Sequence, residues 1–175
     1  PLKKPVRAID LRVQVLMSLR RYEQADNVLR RSIKMYTDFS LIKLRIEVLK
    51  YINDPRRIIG VTGLGLGISI TEDQGFFFFH QAEALFEMKK YDQAFTVFRL
   101  ALKNPPKNKS RFINYRILKI NFELGRIDES EQGAKKLLDE DKDDIYATEI
   151  LHLLSDFFLE RKHLKKAKPY LKQLV

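Results

Sequence analysis

The sequence predicts an all-α fold in which about five antiparallel helix pairs follow one another along the chain. Three observations support this prediction: a short motif recurs, small residues recur at a regular interval, and apolar residues keep a helical spacing around them.

The 175-residue chain contains no cysteine, which excludes disulfides and cysteine-ligated metals. Its hydrophobic content of 45% and charged content of 32% are typical of a globular protein.

A five-residue motif sets the period of the repeat. Residues 21–25 read Arg-Tyr-Glu-Gln-Ala, residues 90–94 read Lys-Tyr-Asp-Gln-Ala, and residues 126–130 read Arg-Ile-Asp-Glu-Ser. The first two copies are 69 residues apart (94 − 25), close to twice a period of about 34 residues. A further copy is therefore expected near residue 60.

Small residues extend this period along the whole chain. One anchor position per unit, at intervals of 35, 34, 36 and 37 residues, holds Ala25, Gly60, Ala94, Ser130 and Ala167. Four residues later stand Leu29, Leu64, Phe98, Ala134 and Leu171. Three residues after those stand Ser32, Gly67, Ala101, Leu137 and Leu174.

These positions resemble the second helix of the tetratricopeptide repeat over essentially the whole chain. The third unit is the most similar, because Ala94, Phe98 and Ala101 are followed by Pro106. The resemblance implies a single domain over residues 1–175, wound as a right-handed superhelix, or solenoid. Its five units are expected at about residues 6–39, 40–74, 75–109, 110–147 and 148–175.

Two units depart from the pattern. In the fourth, the bulky positions of the first helix hold Asn114 and Asn121, whereas the next residue along gives Tyr115 and Phe122; this predicts one extra residue in that unit's inter-helix turn. In the second, residues 60–67 contain four glycines. Because glycine costs a helix about 1 kcal/mol relative to alanine, we expect this helix to be weak, bent or partly unwound, and a hinge in the array is one possible consequence.

The sequence offers no motif for catalysis. The glycine-rich stretch lacks the Gly-Lys-Ser/Thr ending of a phosphate-binding loop and follows a helix rather than a strand. Glu149 and His152 form one Glu-x-x-His pair, but the metal sites that use this pair require a second one. We therefore expect no enzymatic activity, no cofactor and no metal.

Aromatic residues point to a binding surface. In tetratricopeptide arrays the first helices line the concave side, and this resemblance implies a groove with aromatic and apolar side chains in the second, third and fourth units. Exposed patches of this kind mark interaction sites. The other interpretations are that these aromatics belong to the core, or that a segment of the same protein outside this chain covers them. The expected groove residues are Ile42, Arg45, Leu49, Ile52, Phe76, Phe79, Glu83, Phe86, Phe112, Tyr115, Lys119 and Phe122.

The function predicted from these features is a scaffold or adaptor that binds another protein or a hydrophobic or amphipathic peptide segment in the groove. The lysine- and arginine-rich clamp by which some tetratricopeptide proteins bind chaperone termini is not expected, since its positions hold Asp10, Gln14, Ile46, Phe76 and His80.

The net charge of +10 leaves a nucleic-acid-binding helical repeat as an alternative. Another alternative is the regulatory or assembly region of a larger enzyme. Self-association through the terminal units is also compatible with the sequence, and no apolar stretch is long enough to span a membrane.

Overall fold

A computed structural model describes residues 3–69, 71–140 and 145–174. Within them the chain is all α-helical, and its helices are α1 (Lys3–Ser18), α2 (Tyr22–Tyr36), α3 (Phe39–Ile52), α4 (Pro55–Ile68), α5 (Thr71–Glu87), α6 (Tyr91–Ala101), α7 (Ser110–Glu123), α8 (Ile127–Glu140), α9 (Ile145–Glu160) and α10 (Leu164–Leu171). Consecutive helices pack as pairs, which confirms the predicted fold class. The pairs fall into two compact units, Pro1–Pro106 (unit 1) and Lys107–Val175 (unit 2). The single domain and its five unit boundaries stay a prediction.

The turn inside each helix pair has a constant geometry. One residue per turn takes a left-handed conformation, and the next residue donates its backbone N–H to a carbonyl five positions back, which satisfies the end of the first helix. The left-handed residues are Arg20, Asn53, Lys89, Gly125 and Lys162, with φ between +57° and +71°. The hydrogen bonds run from Arg21 to Leu16, Asp54 to Leu49, Lys90 to Leu85, Arg126 to Asn121 and His163 to Phe158.

These turns give the true register of the second helices. Five residues after each left-handed residue stands a buried residue whose backbone N–H bonds to the carbonyl four positions back; these residues are Ala25, Ile58, Ala94, Ser130 and Ala167. Four of the predicted anchors are therefore correct. In α4 the predicted register is wrong by two residues, because Ile58, Thr62 and Gly65 are buried whereas Gly60, Leu64 and Gly67 are exposed.

Helix α4 runs uninterrupted from Pro55 to Ile68, so it is not unwound at its glycines, and the weak or bent helix that could act as a hinge stays a prediction. Its start agrees with the sequence: the Asp54 side chain accepts a hydrogen bond from the backbone N–H of Arg57, and Pro55 lies in the first turn, where its missing N–H costs nothing. Gly65 packs against the ring of Phe77, whereas nothing lies within 4 Å of a side chain placed at Gly60, Gly63 or Gly67. Three of the four glycines are therefore not required by packing.

The fourth helix pair contains no inserted residue. Its turn, Leu124 to Arg126, has three residues, as do the turns after α1, α5 and α9, so the predicted insertion is wrong. Tyr115 and Phe122 are nevertheless buried, as the one-residue shift in register predicts. They belong to the core of unit 2, together with Leu118, Ile150 and Leu154.

Candidate functional site

The twelve predicted groove residues divide into two groups by burial. Six side chains are buried: Ile42, Arg45, Leu49, Phe79, Tyr115 and Phe122. Six are half-buried and reach the surface: Ile52, Phe76, Glu83, Phe86, Phe112 and Lys119.

The register of α3 explains why Ile42, Arg45 and Leu49 are buried. The left-handed residues Asn53 and Lys89 are 36 residues apart (89 − 53). The predicted groove positions of α3 and α5 are only 34 residues apart, so the prediction for α3 is off by two residues. The positions of α3 that correspond to Phe76, Phe79, Glu83 and Phe86 are therefore Ser40, Lys43, Glu47 and Lys50. All four are half-buried or exposed. Sequence reasoning missed them, and the left-handed Asn53 next to Asp54-Pro55 was the signal that could have located them.

The first-helix face of unit 1 is defined here as Ser40, Lys43, Glu47, Lys50, Phe76, Glu83 and Phe86. Side-chain contacts join its two helices. Lys43 of α3 forms an ion pair with Asp73 of α5 at 2.7 Å, and its ammonium group lies 4.9 Å and 5.3 Å from the ring centres of Phe39 and Phe76. A cation held over an aromatic ring is stabilised by the ring quadrupole. This part of the face is therefore an ordered arrangement of charge and aromatic surface.

His80 continues this cluster beneath the surface. Its ring centre is 4.4 Å from that of Phe76 and 5.0 Å from that of Phe79. Its Nε2 atom lies 3.6 Å from Oε1 of Glu47, and the other carboxylate oxygen, Oε2, accepts a hydrogen bond from Lys50 at 2.9 Å. At the far end of α5, Phe86 packs against Tyr91 with ring centres 5.6 Å apart. The face therefore combines two half-buried phenylalanines with charges of both signs.

The first-helix face of unit 2 is defined here as Phe112, Lys119, Glu149, His152 and Asp156. Lys109 and Arg116 both lie against the Phe112 ring, at 5.6 Å and 4.9 Å from its centre. The same ring contacts Tyr146 of α9, with centres 6.0 Å apart. On this face α7 is basic and aromatic, whereas the α9 positions are two acids and a histidine.

Tyr115 of α7 is buried under this face and connects α7 to α9 through Glu149. Burial raises the pKa of its hydroxyl above the ordinary value, and the hydrogen bond to the Glu149 carboxylate raises it further. Tyr115 therefore remains neutral at physiological pH and serves as a hydrogen-bond donor. Its ring also lies 5.6 Å from the Lys119 ammonium group.

Arg45 has a structural partner inside unit 1. Its Nε donates to the buried Asp26 carboxylate of α2 at 2.6 Å, and Arg57 of α4 reaches the same carboxylate at 3.2 Å. Arg57 also pairs with Glu23 and Asp54, each at 2.7 Å. Because a buried charge is tolerated only when it is paired, these residues hold α2, α3 and α4 together. Arg45 thus belongs to a helix-joining ion cluster under the face.

The described residues contain no group of histidines and carboxylates arranged to hold a metal ion. None of the helices that the structure describes is long and apolar enough to cross a membrane.

The sequence of residues 77–108, which covers most of the α5–α6 pair, matches a family model described as tetratricopeptide repeat. The chain has the tetratricopeptide-repeat fold. Several solved structures with this arrangement superimpose on nearly its whole length, and the resemblance predicted from the sequence is confirmed. A comparison with curated protein sequences finds no match.

Three tetratricopeptide-type structures illustrate the likeness. MamA from Desulfovibrio magneticus RS-1 is 14% identical with a TM-score of 0.79, over 96% of this chain and 92% of that one. TPR-like repeats of a putative kinesin light chain from Podosopora anserina are 8% identical with a TM-score of 0.74, over 97% and 92% of the two chains. YrrB, described as a TPR protein with an unusual peptide-binding site, is 11% identical with a TM-score of 0.72, over 93% and 80%. At these identities the likeness concerns the fold.

Proposed function

We propose that this chain is a non-catalytic scaffold that binds segments of partner proteins on the first-helix faces of its two units. The observation that carries the proposal is the position of Phe76, Phe86 and Phe112. All three are half-buried phenylalanines on first helices, where they are held by ring and cation contacts rather than enclosed in the core. Aromatic side chains that are ordered but accessible are common anchors of protein interfaces.

The charges around these rings suggest the chemistry of the bound segment. Lys43, Glu47 and Lys50 alternate in sign along α3, so the face of unit 1 favours a segment that carries apolar residues and charges of both signs. An amphipathic helix or an extended peptide has this character. YrrB, whose fold this chain shares, is by its description a peptide-binding protein. We extend that mode of recognition to this chain as part of the proposal.

The test for unit 1 substitutes the accessible rings and keeps the core intact. Phage-displayed peptides are selected on the purified chain, and their affinities are measured by fluorescence anisotropy for the parent and for Phe76→Gln/Phe86→Gln. We expect at least a tenfold loss of affinity with unchanged helical circular dichroism. Phe79 is left in place because it is 7% exposed and its substitution would disturb the core.

Phe95→Gln is the matched control. Phe95 is also half-buried and also has a cation over its ring, Arg99 at 6.0 Å, but it lies on the second helix α6. Equal losses in the Phe95 variant and the first-helix variant would contradict the proposal, because binding would then not depend on the first-helix face. For unit 2 the corresponding variant is Phe112→Gln.

Salt dependence separates this function from the nucleic-acid alternative. Binding through phosphates weakens steeply with salt, because counterions are released on association. Binding through the phenylalanines should change little between low and moderate salt. Partners that dissociate completely at moderate salt and are insensitive to Phe76→Gln/Phe86→Gln would contradict the proposed scaffold.

A further inference from the structure

Helix α1 presents an apolar stripe on its outer side. Leu11, Val15 and Leu19 are 55%, 58% and 57% exposed. Leu11 and Val15 are four residues apart and lie on one side of α1, and Leu19 follows in the turn directly after the helix. Val13 on the opposite side is buried in the core of unit 1. Three large apolar side chains in a row exceed the scattered exposure that ordinary surfaces show.

The equivalent positions of α5 show what this kind of face contacts. The left-handed residues Arg20 and Lys89 are 69 residues apart (89 − 20), so Ala8, Leu11 and Val15 correspond to Phe77, His80 and Ala84. All three α5 residues are buried, and Phe77 packs against Gly65 of the preceding helix α4. Within the chain, this side of a first helix is thus a helix-packing surface.

A cluster of arginines adjoins the stripe. Arg12 of α1 and Arg30 and Arg31 of α2 line a crevice of about 600 Å³, in which Leu16 and Val28 supply apolar surface. Arg30 donates to the side chain of Asn27 at 2.9 Å. In the described part of the chain, no carboxylate lies within ion-pair distance of these three arginines. Arginine side chains in such a position suit partner carboxylates, to which they bind through two parallel hydrogen bonds.

We propose that the α1 stripe and the α1–α2 arginine crevice together bind an acidic amphipathic helix of a partner protein. The leucines and valine of the stripe would bury the apolar side of that helix, and the arginines would pair with carboxylates along its edge. This site is distinct from the first-helix faces and does not depend on them.

The structure favours this occupant over two others. A nucleic acid would satisfy Arg12, Arg30 and Arg31 but would leave Leu11, Val15 and Leu19 against a polyanion. A second copy docking through α10 would bring Leu164 and Leu171, which are exposed, but it would also bring Lys165, Lys168 and Lys172 towards the arginines. Like charges placed together in an interface are repulsive.

The experiment uses a designed probe and the complete 175-residue chain. The probe is a fluorescein-labelled peptide of about 18 residues, roughly five helical turns, with leucines along one side and glutamates flanking them. A matched peptide carries lysine in place of every glutamate. Anisotropy titrations compare the parent chain with Leu11→Ser/Val15→Ser and with Arg12→Glu/Arg31→Glu. Controls are Leu64→Ser and Arg56→Glu, which change exposed residues on α4.

We expect the parent to bind the acidic probe at least tenfold more tightly than the lysine peptide. Each α1–α2 double variant should lose at least tenfold in affinity for the acidic probe, whereas the α4 controls retain it. All four substituted side chains of the double variants are exposed, so circular dichroism and melting temperature should be unchanged.

Three results would overturn the proposal. The first is equal binding of the two peptides, or full affinity in either double variant. The second is competition by single-stranded polyuridine that Leu11→Ser/Val15→Ser does not affect, which would assign the arginines to nucleic acid. The third is a dimer of the parent chain in light scattering that Leu11→Ser/Val15→Ser converts to a monomer, which would assign the stripe to a second copy.

Discussion

Gly65 of α4 lies directly against the ring of Phe77 of α5, so close that a methyl group at position 65 would overlap three atoms of the ring. Phe77 is fully buried and is fixed by edge contacts with Phe39 and Phe76 at 5.1 Å and 5.4 Å between ring centres. A shift of its ring would therefore also have to displace Phe39 and Phe76. The close approach of α4 and α5 depends on the absence of a side chain at this position.

We predict that Gly65→Ala destabilises the chain although alanine is the better helix former. Overpacking of a rigid core costs about 1–3 kcal/mol, which exceeds the gain of about 1 kcal/mol from helix propensity. The matched variants Gly60→Ala, Gly63→Ala and Gly67→Ala meet no neighbour within 4 Å and should each stabilise the chain by up to about 1 kcal/mol. Urea unfolding followed by circular dichroism measures all four. Stabilisation by Gly65→Ala would contradict the packing described here.

The same contact shows which part of the fold the sequence could predict. Small residues mark positions where helices approach closely. The recurring motif locates Ala25, Ala94 and Ser130, and the repeat interval locates Ala167. In α4 four small residues compete, and glycine on an exposed side looks the same in sequence as glycine in an interface. Of these four glycines only Gly65 meets a neighbouring helix, whereas the predicted register, two residues off, puts Gly67 at that position and Gly60 at the position of Ile58.

The turn residues explain why that register was not visible. A left-handed turn residue is usually glycine, which has no penalty there, but in this chain only Gly125 of the five pair-internal turns has that identity. Arg20, Lys89 and Lys162 take the same conformation without a sequence signal. The same error of two residues affects α3, the other helix of this pair. There the sequence predicts Ile42, Arg45 and Leu49 at the surface in place of Ser40, Lys43 and Glu47.

The left-handed turns give a second prediction. A non-glycine residue in this conformation costs about 1–2 kcal/mol, partly offset because glycine makes the unfolded chain more flexible. Lys89→Gly, with φ of +58°, should therefore raise the free energy of unfolding by about 0.5–1 kcal/mol. Gly125→Lys should lower it by a similar amount. The two variants are measured by urea unfolding, and a change of the same sign in both would contradict this account.

The buried ion cluster gives a third prediction. Asp26 is 3% exposed and Arg45 is 9% exposed, so Asp26→Ala leaves the Arg45 guanidinium buried without its partner. Such a loss costs about 3–5 kcal/mol. Asp26→Leu combined with Arg45→Met removes both charges and should cost less than Asp26→Ala alone.

Lys50→Gln is the surface control, since it breaks an exposed ion pair with Glu47 and should change stability by less than about 1 kcal/mol. Thermal and urea unfolding would test the order of the three variants, and a double variant less stable than Asp26→Ala would contradict it.

Arg57 gives a fourth prediction, which concerns pH. Hydrogen bonds from its guanidinium lower the pKa of Glu23 below the ordinary value of 4.5. The same side chain lowers the pKa of Asp54 below 3.8, and the backbone N–H of Arg57 lowers it further. A carboxyl group with a depressed pKa in the folded state contributes stability that is present above its unfolded pKa. That stability is lost as the pH falls through the folded value. Stability should therefore decline as the pH is lowered from 4.5.

The Arg57→Met variant tests this assignment. Without the guanidinium, the pKa values of Glu23 and Asp54 should return towards their ordinary values, so the variant should be less stable than the parent at neutral pH. The difference should shrink as the pH falls, because protonated carboxyl groups gain nothing from Arg57 in either chain. Arg56→Met is the control, since among the described residues the Arg56 side chain has no carboxylate partner and the substitution keeps the backbone N–H that bonds to Asp54. It should shift the stability curve equally at every pH. Melting temperatures measured between neutral pH and acid give the comparison, and a constant difference between Arg57→Met and the parent would show that the two carboxyl groups do not depend on Arg57.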